Sequence, residues 1–347
     1  MPRTRRPRIA RRLLLAGFAG TLVAGLALSS PSSATSATAH NGSAKHFVLG
    51  SVDDDMTNPF LAVLAQGEQQ QAAKLGMSIK VLSGNANGTI SMSQQIAAVQ
   101  QFITQHVDAI LMTASDSKGI IPIVKQANKA GIPVIAVNTP VGTVTGPHSV
   151  NTGGAKVVTF VGADNTAYGV AEGKLVVQAL KGKGNVAMIH GTLGTEPDTL
   201  RFAGMKSVFA KYPGIHVVTT LSDNWQNSQN ITAVQDLMSK YHGTQLNAVV
   251  ATGPEMYAGA QYARSHGNTT WKFIAGDYSK EVRKAIQSGA LYGTVDQDPA
   301  EQGRLGVQYA YDWLTGHKSA VPRPISYTTL PLITAKNVNS VVATWSS

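Results

Sequence analysis

From residue 46 onward, short apolar runs alternate with longer segments in which apolar residues recur every three or four positions. Runs such as DAILMT and IPVIAV have the length and the β-branched content of buried strands. Segments such as 59–76 and 91–106 have the length and the period of amphipathic helices, and the first has Pro in its first turn and Gly at its end. This alternation predicts βαβ units and parallel, doubly wound sheets.

The stretch 138–161 interrupts the alternation, which then restarts and runs to a last predicted helix at 299–316. Two similar α/β halves of about 120 residues each indicate two Rossmann-like lobes. No low-complexity linker separates the halves, so we expect short, ordered crossings between them.

Ligands of open parallel sheets bind beyond the carboxyl ends of the strands, and if the two lobes face each other these ends line one cleft. The loops at those ends hold planar polar side chains beside aromatic ones, a combination that suits hydroxyl groups and the C–H faces of a sugar. A structural role is the alternative at each position: Asn58 could cap the helix that begins at Pro59, the other polar residues could form turns, and the aromatic residues could belong to the core. The candidate ligand-binding residues are Asn58, Phe60, Asn138, Trp225, Asp277 and Gln297.

The run VDDDMTNPF raises the question of a metal site. Carboxylates that bind a divalent cation converge from several parts of a chain, whereas Asp53, Asp54 and Asp55 are consecutive and alternate in direction when extended. The nine histidines show no i, i+4 pair and no carboxylate at ligand spacing. The sequence predicts no metal site, and the informative part of this loop is 58–60.

No motif predicts a catalytic nucleophile or a cofactor. The chain lacks G-x-S-x-G and a P-loop, and GTLG and GKGN lack the spacing of a dinucleotide-binding motif. It contains no cysteine, which excludes disulfides and thiolate metal sites. We predict no cofactor and no enzymatic activity; glycoside hydrolysis by paired carboxylates is the catalytic alternative that stays open.

The first 39 residues are predicted to be a signal peptide. Six arginines precede an apolar run at 13–28, and small residues ending in the A-x-A sequence ATA follow. The run of about sixteen residues is short for a bilayer span. The segment ARRLLLAG resembles a twin-arginine signal, and the absence of Cys after the apolar run predicts an exported protein without a lipid anchor.

Net charge gives little support for nucleic-acid binding. The full chain has 29 basic and 19 acidic residues, for a net charge of +10. Without the six arginines of the signal peptide, 23 basic and 19 acidic residues remain, for a net charge of +4. Because the basic residues are scattered rather than clustered, we predict no nucleic-acid partner.

Six segments of the chain together resemble those of a known protein family. They are TNPFLAVLAQGEQQQAAKLG, DAILMTASDSKGIIPIVKQANKAGIPVIAVN, VGADNTAYGVAEG, EMYAGAQYA, IAGDYSKEVRKAIQSGALYGTVDQDPAEQGRLG and PLITAKNV. These segments resemble the sugar-binding proteins of bacterial ABC importers, in the ribose-binding group; they span nearly all of the chain after the signal peptide and are specific for the family, though not for a ligand. The resemblance implies the type I periplasmic binding protein fold: α/β, with two Rossmann-like lobes of parallel sheet joined by a three-crossing hinge.

The resemblance also implies roles and boundaries. Asn58 and Phe60 match an Asn and a stacking aromatic of the family, and Trp225 matches the aromatic of the other lobe. Asp277 matches a carboxylate that accepts from sugar hydroxyls, and Gln297 an amide at the hinge. The implied division is 1–39 for the signal peptide, 40–163 plus 298–328 for the N-terminal lobe, and 164–297 plus 329–347 for the C-terminal lobe.

Three departures from the ribose-binding pattern bear on the ligand. Asn138-Thr139 replaces Asp-Arg, and Thr199 replaces a second Arg. Gly253-Pro254 replaces Asn-Asp. Each lost hydrogen bond to a charged group is worth about 1.5–3 kcal/mol, so we expect a ligand other than ribose. Further candidate ligand contacts are Asp54, Asp55, Glu196 and Thr199.

The interpretation that fits these features best is an extracytoplasmic solute-binding protein. It would act as a monomer, capture a small sugar or polyol between its lobes and deliver it to an ABC permease in the membrane. A ligand-sensing partner of a membrane receptor or chemoreceptor has the same fold and stays open as an alternative.

Overall fold

The computed structural model describes residues 46–53, 55–86 and 89–347. The predicted signal peptide and Asp54 lie outside these residues and stay predictions. The described helices are α1 (Pro59–Lys74), α2 (Met92–Thr104), α3 (Ile121–Lys129), α4 (Asn165–Leu180), α5 (Glu196–Phe209), α6 (Asn227–Lys240), α7 (Met256–Ser265), α8 (Lys280–Gln287) and α9 (Pro299–Leu314).

The strands lie where apolar runs were predicted, with several short additions. They are β1 (Val48–Asp53), β2 (Ser78–Ser83), β3 (Asn85–Ala86), β4 (Thr89–Ile90), β5 (Ala109–Met112), β6 (Val134–Val137), β7 (Thr143–Gly146), β8 (Ser149–Asn151), β9 (Phe160–Gly162), β10 (Lys183–His190), β11 (Gly214–Ser222), β12 (Ala248–Ala251), β13 (Lys272–Gly276), β14 (Gly293–Val295), β15 (Ile325–Tyr327) and β16 (Leu332–Thr334).

Two six-stranded sheets organise the fold, with strand orders β15-β9-β6-β5-β1-β2 and β11-β10-β12-β13-β14-β16. The pairings of the first sheet are parallel, and those of the second are parallel except where β16 runs antiparallel to β14. The prediction of an α/β fold with two parallel-stranded lobes is confirmed. The antiparallel edge strand was not predicted.

The chain passes between the two sheets three times. It leaves the first sheet after β9, returns between β14 and β15, and leaves again between β15 and β16. The predicted lobe boundaries at 163/164, 297/298 and 328/329 stay a prediction, and each falls within one of these three passages.

Each sheet is covered by helices on both faces, which explains why its strands read as continuous apolar runs. Consecutive strand residues point to opposite faces, so Ile110 belongs to the core beneath α2 and α3 while Leu111 belongs to the core beneath α1 and α9. The second sheet repeats this arrangement: Val250 packs with α4 and α5, and Val249 with α6, α7 and α8.

The interruption predicted at 138–161 holds more structure than expected. It contains the antiparallel hairpin of β7 and β8, and its end forms β9, which lies inside the first sheet. Because β9 has only three residues, its apolar run is too short to give a periodic signal.

Close helix packing in the second lobe depends on glycine. Gly169 of α4 lies so near α5 that a Cβ atom there would collide with the Arg201 carbonyl oxygen and come within 2.6 Å of the carbonyl carbon. Backbone atoms of a packed helix cannot move aside cheaply, so this position tolerates no side chain without separating the two helices.

We expect Gly169→Ala to lower the free energy of unfolding by about 3 kcal/mol, because the added methyl group overpacks the α4–α5 contact. Urea denaturation monitored by circular dichroism measures the change. Gly146→Ala is the matched control, since a Cβ atom at Gly146 meets no heavy atom within 4 Å. Equal stability losses in the two variants would contradict the packing argument.

Candidate functional site

A cavity of about 370 Å³ is lined by residues from both lobes. The first turn of α1 forms one wall, and the segments that begin α6 and α7 form the opposite wall. Side chains near residue 345 complete the lining. The lining residues are Thr57, Asn58, Pro59, Phe60, Trp225, Gln226, Asn227, Ser228, Pro254, Glu255, Trp345 and Ser347.

The α1 wall is held by the helix cap that the sequence suggested. Asn58 is the N-cap residue, and its Oδ1 accepts a hydrogen bond of 2.9 Å from the backbone N–H of Phe60. Phe60 is 8% exposed and meets Trp345 edge to face, with ring centroids 5.8 Å apart. Capping and cavity lining therefore coexist at Asn58, and core packing and cavity lining coexist at Phe60.

The opposite wall carries Trp225 in a strained backbone conformation. Its φ is 55°, in the left-handed region that bulky residues rarely adopt. The backbone N–H donates to Asp223 Oδ1 at 2.9 Å, and the indole Nε1–H donates to Thr252 Oγ1 at 3.4 Å. The indole also fills the space that a side chain at Gly191 would need. A bulky residue held at positive φ in a cavity wall is typical of a functional site.

Glu255 is a cavity residue that was not among the candidates. Its side chain is 5% exposed, and within the described part of the protein its Oε2 has no hydrogen-bond partner. Burial raises the pKa of Glu255 well above its usual range; the nearby Asp223 and Asp277 raise it further and Arg201 lowers it. The segment 252–255 follows the carboxyl end of β12, where ligands of parallel sheets bind, but nothing in the sequence selects the Glu255 side chain within this loop.

Three other candidates belong to a hydrogen-bonded network and are not among the lining residues. Asn138 Nδ2 donates to Gln302 Oε1 at 3.1 Å, and Gln302 Nε2 donates to Gln297 Oε1 at 3.0 Å. The Gln297 amide in turn lowers the pKa of Asp277 through a hydrogen bond. Gln302 was not predicted, and it lies fully buried on α9, so this network ties the first lobe to Asp277 of the second.

Asp277 is fixed from several directions. The Tyr168 hydroxyl donates to Asp277 Oδ1 at 2.9 Å, and the Asp277 backbone N–H lies 2.7 Å from the same hydroxyl oxygen. Burial raises the pKa of Asp277, while Arg201, Tyr168 and Gln297 lower it. Asp277 and Asn138 both have positive φ, at 53° and 61°, which Asp and Asn tolerate better than most residues. The predicted turn-forming role at these positions is therefore present.

The buried Arg201 was not among the candidates. It is hydrogen-bonded within the second lobe. Its Nε–H donates to Asn165 Oδ1 at 2.9 Å, and its Nη1 donates to the Thr252 carbonyl at 2.7 Å. The guanidinium lies 3.9 Å from the centre of the Tyr168 ring. These contacts hold the permanent positive charge of Arg201 close enough to Asp277 to lower its pKa.

The further candidates that the structure describes are engaged in hydrogen bonds within the protein. Asp55 Oδ1 accepts from the backbone and hydroxyl of Thr57 and from Asn85 Nδ2, at 2.9, 2.6 and 2.6 Å. Glu196 Oε2 accepts from Asn165 at 3.1 Å, and burial raises the pKa of Glu196 to about 7. Thr199 is exposed and donates to a backbone carbonyl of its own helix. These three do not line the cavity, and Asp54 lies outside the described residues.

The described residues contain neither a cluster of metal-ligating side chains nor a helix that could span a membrane. No group of three or more His, Asp or Glu side chains in these ranges is placed to hold a metal ion. Within the same ranges, no helix has the length and apolar character needed to cross a bilayer.

The structure thus brings Asn58, Phe60 and Trp225 together around one cavity and joins Asn138, Gln297 and Asp277 through a separate network. Trp345 was missed because it follows the last strand without any periodic pattern. That these residues bind a ligand stays a prediction.

Comparison with known proteins places the chain in a family. Residues 52–318 match the family model described as the periplasmic binding protein domain. Two curated relatives are each 28% identical to the chain. The ribose import binding protein of Bacillus subtilis (strain 168) aligns over 80% of this chain and 85% of the relative. The xylitol-binding protein of Mycolicibacterium smegmatis aligns over 76% of this chain and 71% of the relative.

A solved structure supports the same fold. The periplasmic solute-binding protein of an ABC transporter from Actinobacillus succinogenes 130z, with bound D-allose, matches with a TM-score of 0.76 and 23% identity. The match covers 85% of this chain and all of that protein. At this identity the likeness shows the fold alone, whereas the family model spans most of the sequence. The chain therefore belongs to the periplasmic binding protein domain family.

Proposed function

We propose that this chain is an extracytoplasmic solute-binding protein that captures a small sugar or polyol between its two lobes and passes it to an ABC-type importer. The observation that carries the proposal is the cavity that Phe60 of one lobe and Trp225 of the other both line. Aromatic rings cover the C–H faces of a sugar, and the amide and carboxyl groups nearby pair with its hydroxyls.

Ligand capture by lobe closure follows from this arrangement. A molecule that contacts the α1 wall and the Trp225 wall together stabilises the conformation in which both walls are near it. The network from Asn138 to Asp277 lies where the chain crosses between lobes, so we place the hinge there. In this proposal the lobes are 40–163 plus 298–328 and 164–297 plus 329–347.

The relatives support the ligand class and the partner. Proteins named for ribose import and for xylitol binding align with most of this chain, and neutral polyhydroxy ligands are common to both names. We extend this to an exported monomer that works with a membrane permease. The absence of both family arginines, at Thr139 and Thr199, favours a ligand other than ribose.

A thermal-shift screen of the mature chain against pentoses, hexoses and polyols tests the proposal. A ligand at a hundredfold excess over its Kd stabilises the folded protein by about 2.7 kcal/mol, which raises the melting temperature measurably. We expect at least one sugar or polyol to do so, with ribose giving no shift. A screen in which no sugar or polyol shifts the melting temperature would contradict the proposal.

A further inference from the structure

The ionisable side chain in the lining of the cavity between the lobes is a carboxyl group. Among the lining residues, Glu255 carries the ionisable side chain and none is Lys, Arg or His. Glu255 Oε2 is buried without a hydrogen-bond partner in the described part of the protein. A buried carboxyl oxygen without a partner is costly, so a group that enters the cavity and pairs with it gains the energy that the empty site lacks.

Glu255 shares the cavity lining with three aromatic residues, Phe60, Trp225 and Trp345. Of these, Trp225 is the one that lies beside its carboxylate. A Cβ atom at Gly253 would collide with the Glu255 carboxylate and lie 2.8 Å from Trp225 Cδ1, so the absence of a side chain there lets the carboxylate sit beside the indole. A carboxylate next to aromatic rings attracts a cation from two directions, by charge and by the ring quadrupole.

The nearby acidic groups favour a cation as well. Asp223 and Asp277 lie close enough to Glu255 to raise its pKa, so both add to the negative potential at the carboxyl group when they are ionised. Arg201 opposes them, but its guanidinium is engaged by Tyr168, Asn165 and the Thr252 carbonyl.

We propose that the cavity takes a sugar or polyol that carries a protonated amine, with the ammonium group held beside the Glu255 carboxylate and the Trp225 ring. This inference rests on the proposed function and specifies its ligand class. The ammonium group donates to the Glu255 carboxylate, and the remaining hydroxyls face the polar side chains of the two walls. The alternative for the same carboxyl group is that it stays protonated and donates to a hydroxyl of a neutral sugar.

Matched probes separate these two possibilities. D-Glucosamine, D-galactosamine and D-glucamine are each compared by calorimetry with the hydroxyl parents D-glucose, D-galactose and D-sorbitol, and with their N-acetylated forms. The comparison is made at several pH values around neutrality, because the charge-assisted bond requires both a protonated amine and an ionised Glu255. We expect at least one amine to bind about tenfold more tightly than its hydroxyl parent and its N-acetylated form, because only the charged amine forms a charge-assisted bond with Glu255.

Two variants and a control test whether Glu255 causes the preference for the charged amine. Glu255→Gln should lower the affinity for the amine about tenfold more than it lowers the affinity for the hydroxyl parent, because only the amine loses a charge-assisted bond. Gly253→Ala should act in the same direction, because its methyl group displaces the carboxylate while keeping the charge. Asp236→Asn, an exposed carboxylate on α6, is the control and should change neither affinity. Circular dichroism and melting temperatures establish that all three variants are folded.

The outcomes distinguish this inference from the proposed function. Neutral sugars that bind as tightly as the amines, or an amine preference that survives in Glu255→Gln, would overturn the inference and leave the proposed function intact. Failure of every amine and every neutral sugar or polyol to bind would remove the proposed function, and the inference with it.

Discussion

Replacing Trp225 with alanine is expected to lower the affinity for the sugar or polyol about a hundredfold, a loss of about 3 kcal/mol. Trp225 supplies the aromatic wall of the second lobe, opposite Phe60, and aromatic residues at the centre of a closed site carry much of its binding energy. The variant should keep its fold, because Trp225 is half-buried and belongs to neither of the two hydrophobic cores of the second lobe. Calorimetry with a ligand from the thermal-shift screen measures the affinity.

Trp313→Ala is the control for this prediction. Trp313 lies on α9 beneath Lys318 and Arg323 and is not among the residues that line the cavity. Its replacement removes a ring of the same size, so it should lower stability while leaving the affinity within about twofold of the parent protein. An affinity in Trp225→Ala that equals that of the parent protein would remove Trp225 from the site.

The fold was predictable because its signals are local. Strands such as β5 and β6 are buried on both faces and read as apolar runs, and α1 has Pro in its first turn. Because ligands of parallel sheets bind beyond the carboxyl ends of the strands, the predicted strands then indicated the loops that hold Asn58 and Trp225. β16 escaped prediction because its three residues carry a mixed pattern and its antiparallel direction depends on the third passage between the lobes.

Parts of the candidate site depend on geometry that a sequence pattern does not contain. Trp345 reaches the cavity through a long-range contact with Phe60, and no spacing in the sequence announces it. The direction of the Glu255 side chain depends on the missing Cβ atom at Gly253. Gln302 looked like one polar residue of a helix face, yet it is fully buried and connects Asn138 to Gln297. Buried polar networks are set by packing between elements, which local patterns do not specify.

The second large effect that we expect is a fall in stability as pH rises from about 4 to about 7. Asp53 and Glu68 are both fully buried in the first lobe, on β1 and α1, and the charge of Asp53 raises the pKa of Glu68. The polar groups that face the pair are the hydroxyls of Ser51 and Thr113. Burial raises the pKa of Asp53 to about 7 and raises that of Glu68 well above its usual range.

The sign follows from proton binding by the two states. In the unfolded chain an Asp loses its proton near pH 4, whereas Asp53 in the folded protein keeps it up to a pH of about 7. Between these values the folded state binds more protons, so each rise in pH favours unfolding. The stabilisation is complete below about pH 4 and is lost as pH rises through about 7, at about 1.4 kcal/mol for each pKa unit. For Asp53 alone this amounts to about 4 kcal/mol.

Asp53→Asn tests this expectation directly, because an amide has nearly the same shape and carries no charge at any pH in this range. Free energies of unfolding from urea titrations across the range should show a shallower pH dependence in this variant, and higher stability than the parent protein above neutral pH. Asp236→Asn, on the exposed face of α6, should keep the parent's slope. The same slope in Asp53→Asn and in the parent protein would show that Asp53 ionises freely in the folded state, which its complete burial beside Glu68 argues against.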